Sequence, residues 1–312
     1  MKKSERQVSV TKLLASHRPS WQVLNELAKT GLAYQYADAM PVLTDPDGAN
    51  QNVLDALVVL QQFYKAKNEN VMVTYGPMAS GKSTALVKYY RWLKLRQIPV
   101  IIYKHELDAE RMRGQSAVTV KIQAGLNGTD TQVEAALFHQ LDEVIHRLKA
   151  KDLAEGVMIL DEFMFAGEGA IPIEQRETMR RLIRACQKKP VKLVIGGLFS
   201  DYRGVIWPNM KRIIPLADRL IEFRGRCVEF GCMKPSVLTQ RNVTISRADG
   251  EVITTRPSHR LEKVVRVGTV LQGVAMPDTY LPKCERHHEV LSPAKAKGLD
   301  QKFGVDMGDY KT

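Results

Sequence analysis

The sequence predicts an α/β protein in which helices flank a parallel sheet. From Val71 onward, apolar runs of strand length alternate with segments of helical periodicity, which is typical of parallel sheets. A glycine-rich loop, residues 76–84, joins the first apolar run to the first helical segment. Asp161 directly follows a later apolar run. Strand, glycine loop and helix in this order predict a phosphate-binding core.

Residues 1–69 precede the first predicted strand and are expected to form a helical extension. One helix is predicted from a cap at Ser20 to Gly31, and another from the apolar spacing between Val53 and Phe63. Residues 45–48, Asp-Pro-Asp-Gly, predict a turn between them. The extension contains no cluster of residues that carries chemistry, so its expected role is packing against the core or a partner.

Residues 70–223 contain the alternating pattern and are predicted to form the nucleotide-binding core. Strands are predicted at 71–75, 100–103, 118–122, 157–160, 192–195 and 220–223. Helices are predicted at 85–93 and 174–188, and a long helix is predicted from a cap at Thr129-Asp130. This long helix carries one apolar face: Val133, Leu137, Leu141, Ile145 and Leu148.

Residues 224–291 differ in character, because cysteines and a polar, basic stretch replace the alternating pattern. We expect a small domain here that a metal ion holds together. Residues 292–312 are lysine-rich and are expected to form a loosely ordered, flexible tail. Cys186 lies in an amphipathic helical stretch and is predicted to be a buried apolar residue.

The bulk composition favours a globular protein with an anionic ligand. The chain has 312 residues, 44% of them hydrophobic, and a formal net charge of +12. It contains no long apolar run and no secretory leader, so a cytoplasmic protein without membrane contact is expected. The basic balance suits ATP or a nucleic acid, although no nucleic-acid motif accompanies it and most basic residues are expected on solvated helix faces.

The glycine-rich loop matches the pattern G-x-x-x-x-G-K-[ST]. Backbone N–H groups of such a loop, at the positive end of a helix, surround phosphate oxygens. Lys82 is expected to reach the β- and γ-phosphates, and Ser83 to bind Mg²⁺. The candidate ATP-binding residues are Gly76, Pro77, Met78, Ala79, Ser80, Gly81, Lys82, Ser83 and Thr84.

Two adjacent carboxylates follow the strand predicted at 157–160. Asp161 is the candidate partner of Mg²⁺, with a helix cap as the structural alternative. Glu162 is the candidate base for an acceptor hydroxyl, and activation of water is its alternative. A phosphotransferase or an ATPase is therefore expected.

Cysteines and histidines near the end of the chain predict a zinc site. Cys227 and Cys232 have the spacing C-x₄-C, and Cys284 begins C-x-x-H-H with His287 and His288. Three thiolates and one imidazole form a closed tetrahedral zinc site. Free thiols in a reducing compartment are the alternative.

At this point the chain resembles the thymidine kinase family of the zinc-containing, P-loop type. Residues 76–84 are close to its loop G-P-M-x-S-G-K-[ST], and residues 160–165 are similar to its D-E-x-Q-F. Further matching pieces occur in the family's order between about 71 and 290: Lys104 and Asp108 (K-P-x-x-D), residues 197–204 (G-L-x-x-D-F-R-G), residues 216–218 (L-A-D), Cys227, residues 239–241 (T-Q-R), Tyr280, Cys284 and residues 288–289.

The resemblance implies a P-loop, RecA-like sheet, a small zinc-binding lasso domain that closes over the nucleoside, and frequent homo-oligomers. It implies that Glu162 is the general base, that Asp161 and Ser83 bind Mg²⁺, and that Lys82 binds phosphate. Of the two histidines, it favours His287 as the zinc ligand. Asp201 and Arg203 are expected to be structural. The implied nucleoside contacts are Phe165 (alternatively a core residue), Gln272, Gly273, Val274 and Tyr280.

Four departures from the family pattern lie near the acceptor pocket. Ala79 replaces a common phenylalanine, Met164 replaces glutamine, and Arg111 comes one residue late. The lasso segment, residues 242–279, is long and contains a basic run: Arg247, Arg256, His259, Arg260, Lys263 and Arg266. The resemblance implies ATP-dependent phosphorylation of thymidine or a related pyrimidine deoxynucleoside, for DNA precursor synthesis. The alternatives are a nucleic-acid-binding ATPase, a kinase with another acceptor, and an inactive interaction module, against which the intact loop and carboxylates argue.

Overall fold

The computed structural model describes residues 3–16, 18, 20–29, 33–35, 51–107, 119–123, 132–149, 153–166, 172–246, 252–259, 269–271, 274–276 and 279–302. The predicted turn at 45–48 lies outside the described residues, as do Asp108, Arg111, Gln272 and Gly273.

The central element is an eight-stranded sheet with strand order β1-β8-β2-β7-β6-β3-β5-β4. Its strands are β1 Ala33–Gln35, β2 Val71–Gly76, β3 Val100–His105, β4 Thr119–Gln123, β5 Gln132–Phe138, β6 Gly156–Asp161, β7 Val191–Leu198 and β8 Arg219–Glu222. Neighbouring strands are parallel except for β4, which is antiparallel to β5. The predicted α/β fold with a parallel sheet is confirmed.

Helices cover both faces of this sheet. They are α1 Lys3–Ala15, α2 Ser20–Lys29, α3 Gln51–Lys65, α4 Lys82–Leu95, α5 Leu141–Lys149, α6 Pro172–Gln187 and α7 Pro208–Ile213. In β2, Val71 and Val73 belong to one buried cluster, and the intervening Met72 belongs to another, with residues of α3 and α4. A parallel strand buried on both faces reads as a continuous apolar run, which explains why β2 was predicted. Among the described residues, no helix is long and apolar enough to span a bilayer.

The N-terminal extension packs against the core. The helices predicted after Ser20 and between Val53 and Phe63 are present as α2 and α3. Helix α1 and strand β1 were not predicted, and β1 pairs in parallel with β8 at the edge of the sheet. Leu14 and Leu24 lie in the same buried cluster as Met210 of α7. Packing against the core is therefore an observed role of the extension.

The long helix predicted from Thr129-Asp130 is wrong in its first half. Residues Gln132–Phe138 form β5, and the helix begins only at Leu141. Val133 and Leu137 are four residues apart, and this spacing places two side chains on one face of a strand as well as of a helix. The segment forms a strand because it pairs with both β3 and β4. The local sequence does not indicate this pairing.

The described residues between 225 and 283 form short antiparallel sheets. The strands are β9 Gly225–Arg226, β10 Pro235–Ser236, β11 Leu238–Ser246, β12 Val252–Pro257, β13 Thr269–Leu271, β14 Val274–Met276 and β15 Thr279–Lys283. Strand β11 lies between β12 and β15, while β9 pairs with β10 and β13 with β14. Both ends of the lasso segment therefore start from one three-stranded sheet.

The expected flexible tail is wrong for residues 293–302. They form helix α8, Pro293–Lys302, whose Asp300 is fully buried and binds Arg256 of β12. The two oxygens of Asp300 accept hydrogen bonds from Nε and Nη2 of Arg256 at 2.8 and 3.0 Å. The lysine-rich composition conceals this anchor, because a single buried carboxylate supplies it.

Candidate functional site

The phosphate-binding loop lies between β2 and α4 and owes its path to glycines. Gly81, the residue before α4, has φ 93°, a conformation that glycine adopts without steric cost. A Cβ atom on Gly76 would lie 2.2 Å from the carbonyl oxygen of Phe223, so only glycine permits this approach of the loop to the end of β8. Ala79 also has a positive φ of 55°, which is strained for a residue with a side chain.

Lys82 is buried inside the loop. Its Nζ donates hydrogen bonds to the carbonyl oxygen of Pro77 at 2.5 Å and to Oγ of Ser80 at 3.2 Å. Burial lowers the pKa of Lys82 to about 8, against the opposing attraction of the Glu162 and Asp161 carboxylates. The ammonium group is therefore held among the backbone groups of the loop and next to the carboxylates.

Asp161 ends β6 and meets the first turn of α4. Oγ of Ser83 donates a hydrogen bond to Oδ2 of Asp161 at 3.2 Å. A Cβ atom on Gly196 of β7 would lie 2.6 Å from Leu86 and 3.1 Å from the Asp161 carboxylate, so a glycine here lets α4 approach the sheet. The hydroxyl and the carboxylate are hard oxygen donors at one point, and such donors suit Mg²⁺.

Glu162 is half-buried and has left-handed backbone angles, φ 56° and ψ 37°. A residue other than glycine is rare in this region, and such strain is concentrated at functional sites. Glu162 also begins the 3-10 turn Phe163–Phe165, in which the N–H of Phe165 donates to the carbonyl oxygen of Glu162 at 3.2 Å. One short turn therefore holds both the candidate base and the candidate nucleoside contact.

The ring of Phe165 is half-buried and lies between two other rings. Its centroid is 5.9 Å from that of His105 and 5.5 Å from that of Trp207. Neither neighbour was predicted as a site residue: Trp207 belongs to no local motif, and His105 stands where the K-P-x-x-D motif has proline. Lys104, the other residue matched at the end of β3, is buried and pairs in register with Asp161.

The three-stranded sheet of β12, β11 and β15, which we call the lasso sheet, contacts the phosphate-binding loop directly. The N–H of Met78 donates a hydrogen bond to Oγ1 of Thr239 in β11 at 3.0 Å. Tyr280 lies in β15 opposite Arg241 of β11 and is half-buried. Val274 begins β14, and its predicted neighbours Gln272 and Gly273 lie outside the described residues.

Cys227, Cys232, Cys284 and His287 converge at the candidate zinc site. Their ligand atoms all lie within 4.8 Å of one another. Nδ1 of His287 is 3.5 Å from Sγ of both Cys227 and Cys284, and Sγ of Cys232 is 3.9 Å from Sγ of Cys284. Ligands bound tetrahedrally to zinc at about 2.0–2.3 Å are separated by about 3.5–3.8 Å, so these residues fit the ion.

His288 has another role in the structure. Its Nε2 donates a hydrogen bond to the carbonyl oxygen of Tyr202 at 2.7 Å, and burial lowers its pKa. Tyr202 lies in a loop that the Asp201 carboxylate holds together. This carboxylate accepts hydrogen bonds from Nε of Arg203 at 2.8 Å and from the N–H of Val205 at 3.0 Å. This geometry favours His287 as the ligand.

These features define a class of protein. The loop that ends β2 holds a buried lysine, and an aspartate ends β6, which β7 separates from β2. A glycine-rich loop before a helix, with a serine that contacts an aspartate at the end of another strand, is typical of a P-loop nucleotide-binding protein.

Comparison with known proteins identifies the family. A family model described as "Thymidine kinase" matches residues 69–288, which is more than half of the chain, and the chain belongs to the thymidine kinase family. A thymidine kinase of Bdellovibrio bacteriovorus is 25% identical over 239 residues, covering 76% of this chain and 93% of that protein. One from Thermococcus kodakarensis is 25% identical over 220 residues, 70% of this chain and 93% of that protein. Membership in this family makes the chain a nucleoside kinase, a transferase.

Proposed function

We propose that this chain transfers the γ-phosphoryl group of ATP to the 5′-hydroxyl of thymidine or a related pyrimidine deoxynucleoside. The observation that carries the proposal is the contact between Ser83 and Asp161 at 3.2 Å, with Lys82 and Glu162 beside it. Both of the relatives named above are thymidine kinases, which supports the choice of acceptor.

The donor half of the reaction rests on the phosphate-binding loop. Its backbone N–H groups and the N-terminal end of α4 would hold the phosphates of ATP. The Lys82 ammonium group would exchange its bonds to Pro77 and Ser80 for the β- and γ-phosphate oxygens. Ser83 and Asp161 would hold Mg²⁺, and the ion would neutralise charge that develops on the phosphate oxygens.

The acceptor half rests on Glu162. Its carboxylate would accept the proton of the 5′-hydroxyl while that oxygen forms a bond to the γ-phosphorus and the bond to the β–γ bridging oxygen breaks. ADP leaves with the bridging oxygen, and the nucleoside monophosphate carries the transferred group. Phe165 and Tyr280 would contact the base, together with residues 272–274 of the lasso segment.

Zinc would have a structural role in this enzyme. Cys227 and Cys232 precede β11, whereas Cys284 and His287 follow β15. An ion bound by all four would join the two ends of the lasso segment. A homo-oligomer and a cytoplasmic location remain predictions that accompany the proposal.

Nucleic acid is a less suitable partner for the basic run in the lasso segment. Two of its described members are buried: Arg256, which binds Asp300, and His259. The side chains of the other members lie outside the described residues. The nucleic-acid ATPase therefore serves as an outcome of the test.

The test combines the protein with γ-labelled ATP, Mg²⁺ and separate nucleosides, nucleotides or oligonucleotides. We expect label on thymidine without any polynucleotide. Glu162→Gln should lower kcat on the order of a hundredfold to ten-thousandfold, because the general base is lost, and leave the Kd for ATP nearly unchanged. Glu177→Gln, a change of a half-exposed carboxylate on α6, is the matched control. Absence of label on every nucleoside, with hydrolysis that polynucleotide stimulates, would refute the kinase.

A further inference from the structure

Asn209, which the sequence did not indicate, fastens the turn that carries Glu162 and Phe165. We call residues 162–166 the Glu162 turn. Nδ2 of Asn209 donates hydrogen bonds to the carbonyl oxygens of Met164 and Ala166 at 3.0 and 2.5 Å. Asn209 is 4% exposed, so both bonds are shielded from water. The side chain therefore binds the turn on both sides of Phe165.

A second set of bonds fixes the orientation of this amide. Nη1 of Arg212 donates to Oδ1 of Asn209 at 3.3 Å and to Oε1 of Gln175 at 2.7 Å. A guanidinium group has only donors and a carbonyl oxygen only accepts, so the nitrogen of the amide must face the turn. We call the bonds from Asn209 to the Glu162 turn the Asn209 clamp. Through Arg212 of α7, this clamp is connected to Gln175 of α6.

Within the turn, the Met164 side chain has no N–H or O–H group that could bind the carbonyl oxygens of the turn. The resembling family has glutamine where this chain has Met164, whose side chain is buried and packs near Gly197. Met164 supplies no amide group, and the left-handed conformation of Glu162 costs conformational energy. An external amide that binds two carbonyl groups of the turn is a direct way to hold it.

His105, the last residue of β3, packs against the ring of Phe165. The N–H of Leu107 donates to Nδ1 of His105 at 3.3 Å. Nε2 therefore carries the proton and donates to the carbonyl oxygen of His139 at 3.1 Å. Both nitrogens are used within the protein, and His105 is fully buried. This neutral ring occupies the position of the proline in the K-P-x-x-D motif and packs against Phe165.

We propose that Asn209 is a positioning residue for the reaction, because it sets the place of the Glu162 carboxylate. His105 positions only the Phe165 ring and has no effect on Glu162. The proposal rests on the roles of Glu162 and Phe165 in the proposed function. It predicts different kinetic effects. Loss of the Asn209 clamp disturbs the base and the nucleoside contact together, whereas loss of His105 affects only nucleoside binding.

The experiment measures kcat and the KM values for thymidine and ATP in the full-length protein. Asn209→Ala and Asn209→Asp, which keeps the size but removes the donors, should each lower kcat on the order of tenfold to a hundredfold, because a small misplacement of a reacting group has such an effect. The KM for thymidine should rise and the KM for ATP should stay within about twofold. His105→Ala should raise the KM for thymidine on the order of tenfold and change kcat little.

A double-variant cycle separates positioning from general damage. If Asn209 acts through Glu162, Asn209→Ala should lower kcat little further in a Glu162→Gln background. Lys211→Ala changes a partly exposed side chain on the same helix, leaves the bonds of Asn209 in place and serves as the control.

The outcomes are distinct. A wild-type protein that phosphorylates no nucleoside refutes the proposed function itself. An active wild type with unchanged Asn209 variants, an equal loss of kcat in both backgrounds, or unfolding of both Asn209 variants overturns the positioning role. An unchanged KM for thymidine in His105→Ala overturns the role of His105.

Discussion

The donor loop, as we call residues 76–84, and the proposed acceptor side of this kinase are built in opposite ways. The donor loop is one continuous stretch, and Lys82 and Ser80 bind the carbonyl oxygen of Pro77 within it. The acceptor side collects His105, Phe165 and Asn209 from three separate elements. The difference teaches that a short motif can specify a phosphate site, whereas a nucleoside site depends on how the whole chain packs.

The donor loop also contacts the lasso sheet, because the N–H of Met78 donates a hydrogen bond to Oγ1 of Thr239 at 3.0 Å. Thr239 lies in β11, the central strand of the lasso sheet. Tyr280, a proposed nucleoside contact, lies in β15 of the same sheet, so changes that loosen this sheet should alter nucleoside binding more than ATP binding. The following predictions test that separation.

The largest expected effect is on the anchor between α8 and β12. Asp300→Asn removes the carboxylate that neutralises Arg256, which is 3% exposed. Leaving a buried charge without its partner costs about 3–5 kcal/mol of the free energy of unfolding, measurable by urea denaturation. Lys295→Ala, on the same helix but in an exposed pair with Glu289, should cost under about 1 kcal/mol. Equal, small effects would show that α8 is not anchored by Asp300.

The next effect concerns the zinc site. Cys284→Ser should abolish stoichiometric zinc binding and raise the KM for thymidine on the order of tenfold or more, because the ends of the lasso segment separate. The KM for ATP should change less than about twofold if the donor loop is independent. Cys186 is also buried but lies far from the cluster in the sequence, so Cys186→Ser is the control and should still bind zinc stoichiometrically. Full zinc content in Cys284→Ser would contradict the ligand set.

A smaller, reversible effect is expected from pH at the donor loop. Burial lowers the pKa of Lys82 to about 8, so the ammonium form is lost as pH rises through that value. The ratio kcat/KM for ATP should be constant below it and fall about tenfold per pH unit well above it, because this ratio reports groups of the free enzyme. In Lys82→Arg the residual activity should lack this decline, since guanidinium stays charged. A wild-type profile that is flat up to about pH 9.5 would refute the assignment.

The smallest effect tests strain in the donor loop. Ala79 and Gln97 both have positive φ values, 55° and 58°. Glycine at either position relieves a steric cost of roughly 1 kcal/mol, partly offset by the entropy of glycine, so both variants should gain a few tenths of a kcal/mol. Only Ala79→Gly should raise the KM for ATP, by about twofold, because a looser loop must be ordered on binding. A matching change in Gln97→Gly would argue against this explanation.

The core strands were predictable because a parallel strand buried on both faces leaves a continuous apolar run in the sequence. Strands β2, β3, β6, β7 and β8 follow that rule. Strand β5 does not, because apolar residues four apart satisfy a helix and a strand equally. Strand β1 has three residues and forms only because β8 offers it an edge.

At the candidate site, the sequence by itself determined the chemical groups of the donor side and of the metal cluster. Lys82 and Ser83 stand in one motif, and Asp161 and Glu162 follow one strand, so local spacing carries that information. Only the tertiary structure decided which histidine faces the cysteines, that Asp300 anchors α8, and that Asn209 and His105 surround the Glu162 turn. These contacts join residues that are distant in the chain, and packing, not spacing, brings them together.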